Sequence, residues 1–178
     1  MKNILKLLIV IVLIAIIYFL TKNSNKETYF KPIALTTTNN IVNIANKPFM
    51  DTILSVGLDV LDIKNCYITI RLMGDDIRNR FYNENGLNLQ AAVVGSYDTY
   101  DVFIDNISKD QTITILSHEL IHLKQYNSGD LNVIGNGVVL WKGKEIKVLD
   151  IPYEQRPWEK EAFDNQGVIA NKINKILY

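Results

Sequence analysis

Ser117-His118-Glu119-Leu120-Ile121-His122-Leu123 is the stretch that fixes how this chain folds and where its chemistry lies. It contains His-Glu-x-x-His. On a helix, residues four apart lie about 40° from one another around the axis and about 6 Å along it, so His118 and His122 can point two imidazoles at one metal ion. Glu119 reaches the edge of the same site, where a carboxylate can take a proton from a metal-bound water. Working outward, Ile113, Ile115, Leu116, Leu120, Ile121 and Leu123 form an apolar set suited to a buried helix. Ser108 with Gln111 reads as a capping box and Asn127-Ser128-Gly129 as a stop, which predicts a helix of about 18 residues. No other histidine occurs in the chain. The plainer alternative is that both rings merely pack on a helix.

The motif resembles that of the zincin metallopeptidases, whose active-site helix carries His-Glu-x-x-His. The resemblance implies zinc as cofactor and peptide-bond hydrolysis as activity. With no third histidine, the versions that use three are set aside, and the third ligand is expected to be a carboxylate. Gluzincins carry a glutamate ligand on a later helix, often with a small residue three positions on. Arg156-Pro157-Trp158-Glu159-Lys160-Glu161-Ala162 fits that description, Glu159 standing 37 residues after His122. The chain is also similar here to the end of small metallopeptidase-like proteins of bacteria and their viruses. The resemblance spans roughly residues 108 to 166.

Helix geometry separates the two carboxylate candidates. Glu159 and Glu161 lie about 200° apart, so both cannot face one ion. Glu159 shares its face with Ala162, where a small side chain lets two helices approach closely. Glu161 is expected to project to the opposite side, near Asn165, as a solvated charge, and is the runner-up ligand. Some relatives place an acidic residue four positions after the ligand to orient a histidine. Here Phe163 stands there, with Asp164 beside it, which leaves that role unassigned. Tyr153 and Arg156, just ahead of the ligand helix, are the candidate donors to the oxyanion of the tetrahedral intermediate. Their alternatives are a packed aromatic and a structural ion pair. Gln125 and Tyr126 read as supports of the fold, and Trp141 as a packing residue beside a turn.

The rest of the 178 residues leaves room for one domain plus an appendage. Lysine and arginine number 19 and aspartate and glutamate 19, a balance that argues against a nucleic-acid partner. One cysteine, Cys66, excludes an intramolecular disulfide. Leu7 to Leu20 is uninterrupted apolar sequence, and residues 4–20 would span about 25 Å as a helix with Lys6 snorkelling. That predicts an uncleaved membrane anchor over residues 1–20, with a secretory signal peptide as the alternative. Residues 21–40 read as a linker, and 41–178 as a zincin-like domain lying outside the cytoplasm or secreted after cleavage.

Within that domain Pro48 opens an amphipathic helix and Cys66 to Met73 alternates like a strand. Gly74 to Asn88 reads as a polar loop. Leu89–Val94 with Tyr100–Asp105, and Val138–Trp141 with Glu145–Leu149, are hairpin candidates. A last helix runs from Pro157 to about Ile176. The expected class is α+β: a small antiparallel or mixed sheet, an active-site helix and a ligand-bearing C-terminal helix. The leading expectation is a membrane-anchored zinc metallopeptidase acting on a peptide or protein, with Glu119 as general base. The alternatives are a non-catalytic anchored binding or assembly protein with a structural or relic metal, and hydrolysis of a non-peptide amide.

Overall fold

A computed structural model describes residues 39–45, 47–79, 89–96 and 98–178, all within the unit Ile33–Tyr178. The anchor of residues 4–20 and almost all of the linker lie outside the described residues. Among the described residues, no helix is long and apolar enough to cross a membrane.

The class is α+β, built on a four-stranded mixed sheet. Its strands are β1 (Asn40–Asn43), β2 (Tyr67–Leu72), β3 (Ala91–Ser96) and β4 (Thr99–Ile104), in the order β1-β2-β4-β3. The first two pairings are parallel; β3 is antiparallel to β4 and forms an edge. Helix α1 (Pro48–Val60) makes the crossover from β1 to β2 that a parallel pair requires. Alternation on β2 and β4 puts Ile68, Ile70, Tyr100, Val102 and Ile104 on one buried face. Met50, Ile53, Leu54 and Leu58 of α1 are buried too, as are Leu116, Leu120 and Leu123 of the next helix. Burying each such side chain contributes about 1.5–3 kcal/mol.

Helix α2 (Lys109–Asn127) carries the motif, and residues 116–123 are buried all the way round. A helix so enclosed is positioned by packing rather than by its ends. Its expected capping box does not form: the Ser108 hydroxyl donates to Gln111 Oε1 at 2.9 Å instead, and no side chain caps the backbone. Gly57 lets α1 cross α2 closely, since a Cβ there would lie 2.1 Å from Leu120 Cδ1. Ala162, fully buried, does the same for the last helix, α3 (Pro157–Leu177), which opens with proline in its first turn.

Between α2 and α3 lies a second, three-stranded antiparallel sheet of β5 (Leu131–Gly135), β6 (Val138–Trp141) and β7 (Lys144–Lys147). The β6–β7 turn holds Lys142 at φ 49° and Gly143 at φ 80°, the twin positive values of a tight hairpin turn. Leu131 and Val139 from this sheet bury against Trp158 of α3, and Trp141 packs 6.3 Å from Trp158 between ring centres. Trp141 is therefore a packing residue. One expectation is corrected: residues 75–79, read as loop, are helical. Arg78 on that turn pairs with Asp75 and Asp105 at 2.9 Å each, the second a long-range support that a polar composition does not reveal.

Candidate metal centre

Helix α2 delivers His118 and His122 to one side, and the first turn of α3 delivers Glu159. All three are buried. His122 Nε2 lies 3.1 Å from His118 Nε2 and 3.2 Å from Glu159 Oε2, and His118 Nε2 is 3.4 Å from the same oxygen. Ligand bonds of about 2.0–2.1 Å in a tetrahedron imply donor–donor edges of about 3.3 Å, so this triangle has the size of one face of a metal polyhedron. Among the described residues, these three are the one group of histidine, cysteine and carboxylate side chains that can hold a metal ion.

Each imidazole is held from behind. His118 Nδ1 lies 3.0 Å from Gln166 Oε1, and His122 Nδ1 lies 2.8 Å from Gln125 Oε1. An amide oxygen only accepts, so each Nδ1 donates its N–H to a glutamine and each ring turns its Nε2 inward to the triad. Phe163 does not orient a histidine by hydrogen bonding; its ring packs 4.6 Å from that of His118. Two glutamines, one on each helix, meet the Nδ1 side of the two rings. Gln125 is thus more than a support of the fold. Glu161 stands outside the triad, its side chain partly exposed, and it also accepts from Gln125 Nε2 at 2.9 Å and lies 3.4 Å from Lys142 Nζ.

Glu119 projects beside the triad and accepts a hydrogen bond from the Val93 backbone N–H of edge strand β3. Burial raises its pKa; the neighbouring His122 and His118 and the Val93 bond act in the opposite sense, and Glu159 adds to the rise. For Glu159, burial alone would raise the pKa, but hydrogen bonds from His118, His122 and Tyr153 and the charge of His122 bring it down to about 2. For His122, burial opposes the charged form, but Glu159 and Glu119 outweigh it and raise the pKa to about 9. With no metal, one proton shared between His122 and Glu159 separates the facing lone pairs.

That proton gives a pH dependence whose sign follows from linkage. The folded pKa of His122 lies above its unfolded value of about 6.5, so the metal-free fold gains stability below about pH 6.5 and loses it as pH rises through about 9. Thermal melts in chelator should fall across pH 6.5–9, by on the order of 1 kcal/mol per unit. Metal must displace the same proton, so its affinity should rise over that window. A flat melting profile would contradict the shared proton.

The triad opens on two sides. A cleft of about 970 Å³ is lined by His118, Glu119, Phe163 and Gln166, with Arg78 and Asp105 further along. A smaller lobe of about 130 Å³ reaches His122, Tyr126, Arg156 and Trp158. Ala91 of β3, Glu119 and Tyr153 line both. Tyr153, held on a short 3-10 turn (Tyr153–Gln155), shares its hydroxyl proton with the Glu159 carboxylate, and burial with that carboxylate raises its pKa. Buried Arg156 donates from Nε to the Ile151 carbonyl at 3.3 Å, its guanidinium 5.3 Å from the Tyr153 ring centre. Comparison with known protein families, with characterised proteins and with solved structures finds no match to this chain.

Proposed function

We propose that the chain is a zinc-dependent metallopeptidase of the zincin kind, tethered to a membrane by residues 4–20, and that His118, His122 and Glu159 hold the zinc. One observation carries this: three buried donors form a metal-sized triangle beside a fourth buried group, Glu119, whose carboxylate belongs to no ligand set. Two histidines and a glutamate are a donor set typical of hydrolytic zinc sites, and bound zinc there polarises a carbonyl and lowers the pKa of water to about 7.

The chain's own residues account for the remaining steps. Glu119, with a raised pKa and a Val93 N–H fixing its direction, accepts a proton from the attacking water and delivers it to the leaving amine nitrogen. Tyr153 lines both lobes and can turn its O–H from Glu159 to the carbonyl oxygen as negative charge develops on it; Arg156 is the second candidate donor. Edge strand β3 borders the smaller lobe with Ala91, Ala92 and Val93 and reaches the larger cleft at Ala91, and an extended peptide can add to such an edge by backbone hydrogen bonds. That favours a peptide over a small non-peptide amide.

The alternative is an anchored binding or assembly protein with a structural metal. Structural zinc sites are closed by four protein ligands, whereas three donors gather here beside an open cleft. The test uses purified full-length protein. About one zinc per chain and cleavage of members of a broad peptide library are expected, and His118→Ala or His122→Ala should abolish both. Stoichiometric zinc in both variants would remove the basis of the proposal. The tether has its own check: the full-length chain should stay with membranes through high-salt and carbonate washes. A soluble mature form beginning beyond residue 20 would show cleavage instead.

A further inference from the structure

We propose that Gln125 is a positioning residue for the His122 imidazole, and that Glu161 dictates that it be an amide rather than a carboxylate. The inference rests on the metal-centre reading and concerns two residues outside the ligand set. Gln125 is buried, and its amide nitrogen lies 3.0 Å from the Trp158 carbonyl oxygen and 2.9 Å from Glu161 Oε2. Both are acceptors, so the nitrogen must face them. The amide oxygen is then turned to His122 Nδ1 at 2.8 Å and demands an N–H there. Whenever the ring is neutral, its lone pair is thereby fixed on Nε2, the atom that faces His118 and Glu159.

The chain of bonds has a direction: His122 donates to Gln125 and Gln125 to Glu161, where Lys142 donates as well. It joins α3 to α2 and sets the ring in the position a ligand needs. A carboxylate is the ordinary partner of a ligand histidine. At position 125 its second oxygen would meet two acceptors at about 3 Å, a repulsion beside the buried end of the Gln125 side chain. Polarity, not size, therefore selects glutamine.

Glutamine and glutamate are nearly isosteric, which gives a test that packing alone would not pass. Zinc affinity of the full-length chain is measured by competition with a chelator, alongside melts of the metal-free protein. Gln125→Glu should bind zinc 10–100-fold more weakly. Adding Glu161→Gln to it restores a donor opposite the new carboxylate and should recover part of that loss, the Trp158 carbonyl keeping the recovery incomplete. Affinity in Gln125→Glu equal to wild type, or no recovery in the double variant, overturns the proposal. If Gln125→Glu fails to fold, Gln125→Met fills the same space without polarity and should show the 10–100-fold loss; unchanged affinity overturns the proposal. Imidazole 15N shifts of the metal-free wild type, recorded above pH 9 where the His122 ring is neutral, supply a reading without zinc. A neutral His122 with its proton on Nδ1 supports the positioning role even if zinc does not bind, in which case the peptidase reading alone fails. A proton fixed on Nε2 overturns the role whatever the metal does.

Discussion

Glu119→Gln is expected to keep its zinc and to lose peptide cleavage by roughly 10²–10⁴-fold or more. The amide is nearly the size of the carboxylate, and its oxygen can still accept from the Val93 N–H that holds Glu119 in place. Glu119 supplies none of the three donors of the triangle, so metal affinity should change little. Burial works against the Glu119 carboxylate, so neutralising it removes a desolvation cost and should not lower the melting temperature. What the variant lacks is a site to receive the proton of the attacking water. Zinc content, melting and kcat/KM measured together separate the roles. Cleavage by Glu119→Gln within threefold of wild type would show that the base lies elsewhere. A wild type that binds zinc yet cleaves nothing across a broad library, with biological effect unchanged in Glu119→Gln, would favour the binding-protein alternative.

The residues legible in the sequence are those whose signal is local. His118 and His122 are one helical turn apart, and a buried helix around them follows from the apolar spacing of Leu116, Leu120 and Leu123. Proline at the start of α1 and of α3 marks both helices without any tertiary information. Both hairpins announce themselves by alternation around a turn. β1 does not: its four residues, Asn-Ile-Val-Asn, are too short to show a period, and their parallel pairing with β2 is set across the whole of α1. β5 is hidden similarly, because only Leu131 of its five residues is buried. The glutamines divide along the same line. Gln125 stands three residues from His122, a neighbour on the helix surface, and was open to recognition from spacing. Gln166 is 48 residues from His118 and becomes visible only once Glu159, two turns earlier on α3, is placed.

Zinc at a hundred times its dissociation constant should stabilise wild type by about 2.7 kcal/mol, a melting temperature roughly 5–10 °C above that in chelator. The ion would join α2 to α3, two helices otherwise linked by polar bonds at this point through one shared proton, the His118–Gln166 bond and the Gln125 bonds. Glu159→Gln should lose that increment. A neutral amide is a poor zinc ligand, and its nitrogen or oxygen must also meet the Tyr153 hydroxyl that Glu159 now accepts. Glu161→Gln should keep most of the increment, since its side-chain oxygen can still accept from Gln125 Nε2 at the present 2.9 Å. The two substitutions stand two residues apart on one helix and change the same charge, so the contrast isolates which carboxylate meets the metal. If Glu161→Gln abolishes zinc stabilisation and Glu159→Gln retains it, the ligand assignment is reversed, although the two histidines stand. If chelator and zinc leave the wild-type melting temperature unmoved at pH 8, where the His122 proton is already easier to displace, the triangle is not a metal site.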